Sequence, residues 1–119
     1  MQKLTVFAVL ITFVGVPASA EEGATTSQLV CKAGPLAKTY GATDWLVYGC
    51  NDEHSLVFVS APGSRAFEFV FILHYKTNAK YQLYGEGNGE KAFTEAAFKE
   101  ISTLTKADID ALVTATKAK

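Results

Sequence analysis

The sequence predicts an α+β domain: a four-stranded antiparallel meander with a short N-terminal helix and two C-terminal helices packed on one sheet face. Three observations predict it. The middle of the chain holds β-branched and aromatic runs of strand length. Short turn-forming segments join those runs, which favours antiparallel neighbours. The last third changes to helical period, with capping residues in place.

Taken in order, Ser27 to Ala33 reads as the short helix, burying Leu29, Val30 and Ala33. Gly34-Pro35 stops it, because Gly accepts a left-handed cap and Pro cannot continue the hydrogen-bond ladder. One further helical turn fits Pro35 to Tyr40 before Gly41. The first two strands are Trp45 to Cys50 and Ser55 to Val59, with Asn51-Asp52-Glu53 as their turn. Pro62-Gly63 has the chemistry of a tight turn. A third strand runs from Ala66 to Lys76 and a fourth from Tyr81 to Tyr84.

Thr94 reads as a helix N-cap, with Phe93 and Phe98 at the two staple positions. Thr105 repeats the device with Leu104 and Ile109, and Asp108 completes a capping box. Ala97, Phe98, Ile101 and Leu104 share one face, as do Ile109, Leu112, Val113 and Thr116. Those faces need an apolar partner, and the sheet supplies it.

The N-terminus belongs to none of this. Lys3, the 13-residue stretch Leu4 to Val16, and Ala18-Ser19-Ala20 have the form of a secretory signal cleaved after Ala20. Residues 21–26 form a loose polar arm, and 27–119 the single small domain. The signal's apolar stretch is shorter than the ~20 residues of a membrane-spanning helix, so no membrane insertion is expected after its removal. The expected location is periplasmic or secreted.

In such a compartment two cysteines read as one disulfide, Cys31–Cys50. Closing the loop between them is worth ~3 kcal/mol in the chain-entropy view. A redox-catalytic role needs a closer pair, and Cys31, Cys50, His54 and His74 lack zinc-type spacing. No cofactor and no metal is expected.

Composition excludes further classes. The chain carries 11 Lys and Arg against 12 Asp and Glu, and 49% of it is hydrophobic. It is too apolar for disorder, too short for two domains and too near neutral to capture nucleic acid by charge. Residues 65–72 imitate an RNA-binding strand only in part. The signature's Gly is Ala66, its small position is Glu68 and its last aromatic is Ile72. Gly85-Glu86-Gly87-Asn88-Gly89 lies between a strand and a helix, where phosphate loops occur. Its spacing and the flanking Glu86 and Glu90 speak instead for a tightly turned connection.

The third strand carries the one candidate site. Phe67, Phe69, Phe71, Leu73 and Tyr75 alternate onto the face expected to meet the helices. The other face carries Glu68, Val70, Ile72, His74 and Lys76. Glu68, Val70, Ile72 and His74, with Glu86 of the Gly-rich run, form a candidate binding patch. No catalytic residue is assigned. His54 and His74 could each meet Glu68, but Ser60 and Ser64 lack a nucleophile's sequence context. The function expected is therefore a disulfide-stapled binding or inhibitor module acting on an extracytoplasmic protein. The alternative is a small-molecule binder or small hydrolase that uses a cavity between sheet and helices. An envelope component that partners with copies of itself is a third possibility.

Overall fold

The computed structural model describes residues 28–119. The expected signal, its cleavage at Ala20 and the arm 21–26 lie outside the described residues. Five strands, β1 (Cys31–Tyr40), β2 (Thr43–Cys50), β3 (Leu56–Ser60), β4 (Phe69–Tyr75) and β5 (Tyr81–Gly87), precede α1 (Lys91–Ser102) and α2 (Lys106–Lys117). The strands lie side by side in chain order, every neighbouring pair antiparallel. The α+β class and the meander stand, but among the described residues the sheet has five strands, and no helix precedes it.

The extra strand is β1, where the helix and the additional turn were expected. Gly34-Pro35 does not stop a helix here. It sits between Ala33 and Leu36, where the register of β1 against β2 shifts. Pro is tolerated at such an irregularity on an edge strand, because no ladder hydrogen bond is lost there. The tie to β2 outweighs the weak helical period. Cys31 and Cys50 are register partners and form the disulfide, and Leu36 to Tyr40 pair with Val47 to Thr43. Gly41 and Ala42, at φ 60° and 63°, close this hairpin with a two-residue turn in the left-handed region. Gly41 is needed twice over, since a Cβ there would lie 2.4 Å from the Ala97 nitrogen of α1.

Two other boundaries move. Strand β4 starts at Phe69, after the expected Ala66, because residues 64–67 turn: the Phe67 N–H donates to the Ser64 carbonyl and the Ala66 N–H to the Ser64 hydroxyl. Strand β5 runs past Tyr84 to Gly87. Gly85 does not interrupt it, because the Phe69 and Phe71 rings occupy the space a side chain would take, 2.8–2.9 Å from a built Cβ.

Trp45, Val47, Leu56, Phe58, Phe71 and Leu73 point to one sheet face, where Ala97, Ile101, Ile109, Leu112 and Val113 of the helices cover them. The Trp45 indole N–H donates to the Tyr40 carbonyl and the Thr43 hydroxyl, so the buried ring keeps its polar atom satisfied. Helix α2 packs chiefly on β1 and β2, and α1 touches β1. Against β2 the approach is close: a Cβ on Gly49 would lie 2.3 Å from Thr116 Oγ1.

Helix α2 starts as its sequence predicts, with the Thr105 and Asp108 capping box formed and Ile109, Leu112, Val113 and Thr116 buried. Helix α1 does not start at Thr94. It begins at Lys91 after Glu90, and Thr94 is buried within it, its hydroxyl donating to the Lys91 carbonyl. The start is set by contacts distant in sequence: the Glu90 N–H donates to the Arg65 carbonyl, and the two side chains form a two-pronged ion pair. The expected staple fails with the cap. Phe98 is 44% exposed, and Phe67, outside β4, is 45% exposed.

Candidate functional site

With both helices on one side, the opposite sheet face is the candidate site. Alternation along β2, β3 and β4 places small and medium apolar side chains on it, and strand register aligns them in two rows. One row runs Leu46, Val59, Val70, Glu86. The next runs Tyr48, Val57, Ile72, Tyr84. Leu46, Tyr48, Val57, Val59 and Val70 are half-buried against each other, while Ile72 on β4 and its partner Tyr84 on β5 are exposed.

Of the candidate patch, Val70 and Ile72 stand in these rows and Glu86 ends the first. Glu68 lies beside Val70, Phe67 and Val59 at the margin of a shallow depression of about 320 Å³. His74 is separate. It sits at the far end of β4, paired with Gln82, and borders a second depression with Leu29, Asn51 and Asp52. The face is therefore apolar in the middle and acidic at one end.

The helix side of the sheet has an opening too. Because α1 and α2 lean toward β1, a cleft of about 520 Å³ remains over β4 and β5. Phe69, Phe71 and Phe98 form its apolar lining, and Lys91 and Glu95 stand at its rim on α1. The rings touch in tilted pairs, Phe69–Phe71 at 4.9 Å and Phe71–Phe98 at 6.1 Å between centroids. The alternative reading expected a cavity between sheet and helices; the sequence missed that Phe98, which it assigned to the buried staple, lines it.

The glycine run beside the cleft is not a phosphate cradle. A Cβ on Gly87 would meet the Glu68 carbonyl at 2.4 Å, and one on Gly89 the Ala66 carbonyl at 2.4 Å. These residues are glycine because the backbone lies against residues 66–68. The N–H groups of Asn88 and Glu90 are spent inside the protein, on the Glu68 and Arg65 carbonyls.

The groups that could carry acid–base or nucleophilic chemistry are scattered or tied down. Ser55 is fully buried, donating to Asp52 and accepting from the Tyr75 N–H. Ser60 accepts from the Phe69 N–H, and Ser64 from the Ala66 N–H. Burial pushes the Asp52 carboxyl up, but hydrogen bonds from the Ser55 hydroxyl and from the N–H groups of His54 and Ser55 outweigh it and hold the group below its usual value. His54 stacks on Tyr75 at 4.3 Å with its Nδ1 buried and unpaired among the described residues. Neither histidine meets Glu68, which lies at the other end of β4. Among the described residues no three His, Cys, Asp or Glu side chains converge as metal ligands, and no helix is long and apolar enough to cross a membrane.

No protein family, no curated protein and no solved structure matches this chain.

Proposed function

We propose that the chain is an exported, disulfide-stapled binding module that docks an extracytoplasmic protein, as an inhibitor would, on the open face of its sheet. The observation that carries this reading is the pair of apolar rows, Leu46–Val59–Val70 and Tyr48–Val57–Ile72–Tyr84, left without a covering layer among the described residues. A contiguous apolar patch with a polar margin marks an interaction surface. Glu68 and Glu86 make that margin acidic, so the partner's complementary rim is basic. A face built on a sheet with a cross-linked hairpin loses little entropy on docking. The signal-like N-terminus and the disulfide support export.

Affinity capture of the chain from its own envelope and secreted fractions tests this. One partner is expected in near-stoichiometric amount, lost with Ile72→Lys and weakened by Glu68→Lys. Retention of the partner by Ile72→Lys, or recovery of none, overturns the proposal.

A second reading has its own support in the cleft under Phe98, whose volume and aromatic lining suit a small apolar ligand. A ligand acting there would raise the melting temperature of the pure protein, and Phe98→Ala would remove the rise.

A further inference from the structure

Strand β5 is the sheet's last strand, and it has no neighbour on its outer side among the described residues. The opposite edge, β1, carries the usual safeguards: Pro35, two register shifts and a covalent tie to β2. Strand β5 has none of them. Its seven residues pair with β4 in unbroken register, without a proline. Four of the six large hydrophobic side chains exposed among the described residues gather at this edge. Tyr84 and its register partner Ile72 lie on the open face, Phe67 beside Glu86 and Gly87, and Phe98 across the cleft from Gly85 and Gly87.

From this edge we infer that β5 pairs with β5 of a second copy, antiparallel about a two-fold axis at Tyr84, joining two sheets into one. Charge complementarity selects this occupant. The segment is basic at its start, at Lys80, and acidic at its end, at Glu86, Glu90 being already paired with Arg65. Reversing one copy against another sets the basic end of each along the acidic end of the other. A parallel pairing would set like against like.

Side chains match in the same register. Gln82 falls opposite Glu86 of the second copy, with Lys80 as the diagonal neighbour. The Gln82 carbonyl oxygen already accepts from the Tyr84 hydroxyl of its own chain, which leaves the amide free to donate to that carboxylate. Glu86 has no ion-pair partner among the described residues. On the helix side, Leu83 and Tyr81 of the second copy fall opposite Gly85 and Gly87. They extend over the bare margin of the cleft, large against small. Tyr84 meets its own copy, and the Tyr48–Val57–Ile72–Tyr84 row continues unbroken across the axis. This inference stands independently of the proposed protein partner.

Sedimentation of the purified chain with its disulfide intact tests it, together with two charge reversals and a cysteine probe. A reversible dimer is expected. Each reversal acts twice across the axis, so Glu86→Lys or Lys80→Glu alone weakens the dimer about tenfold, and the two together restore it. In Tyr84→Cys the two thiols face each other at the Cα spacing of an antiparallel pair, within disulfide range, and a covalent dimer forms. Thr39→Cys, on β1, forms none. A monomer at about 1 mM overturns the inference. So does a dimer in which Tyr84→Cys links no faster than Thr39→Cys.

Discussion

The Ser55 hydroxyl donates to Asp52 Oδ2 at 2.5 Å and accepts from the Tyr75 N–H at 2.9 Å, joining the β2–β3 turn to the end of β4. A serine held on both sides, with no exposed surface, is a structural bridge. Ser55→Ala leaves the Tyr75 N–H without its acceptor and removes a donor from the carboxylate. The expected loss is about 1–3 kcal/mol in denaturant unfolding. No loss would mean that water replaces the hydroxyl.

Gly49 and Thr116 set how closely α2 approaches the sheet. A methyl group on Gly49 must displace the Thr116 hydroxyl, which itself donates to the Val113 carbonyl. Gly49→Ala should cost about 1–3 kcal/mol through overpacking. In the Thr116→Ala background the same change should cost less than half as much, because the two sites share one contact. Additive costs would place the strain elsewhere.

Tyr40 is buried against Phe58, and burial, then the charges of Glu100 and Asp108, push its hydroxyl from 10.0 up to about 12. The unfolded chain therefore ionises first. Tyr40 contributes no pH dependence below 10, and stability falls as pH rises from 10 toward 12. At the upper end the loss is up to about 3 kcal/mol. Tyr40→Phe should flatten that part of the stability profile while leaving neutral-pH stability close to unchanged. An equal alkaline decline in both proteins would exclude this tyrosine as the cause.

Phe71 and Phe98 are in contact, yet they differ in burial, at 2% and 44% exposed. Phe71→Ala should cost about 3–5 kcal/mol and Phe98→Ala about 1 kcal/mol. Comparable costs would mean that Phe98 is covered in solution.

That contrast also marks the boundary of what was legible in the sequence. Period-two alternation located β2, β3 and most of β4, because each is flanked on both sides in the sheet and its pattern is set by burial. The Thr105 capping box was legible because all its atoms lie within four residues. Strand β1 was not, since Gly34-Pro35 means a stop in a helix and an irregularity on a sheet edge, and only the pairing to β2 decides between them. The start of α1 depends on Arg65, 25 residues before Glu90. A cavity between sheet and helices was expected, but its lining was hidden for the same reason: Phe98 is placed by where α1 crosses the sheet, which no local window contains.

The lean of both helices toward β1 gives the molecule a graded rigidity. The cross-linked β1–β2 hairpin under α2 is fixed from three directions, whereas within one copy β5 is held by one ladder and a few aromatic contacts. In the monomer, amide protection from hydrogen exchange should therefore descend across the sheet from β2 to β5. When β5 opens, the sheet's terminus shifts inward to β4, and Val70 and Ile72 come to stand on the outermost strand. The identity of the edge is itself a thermal variable.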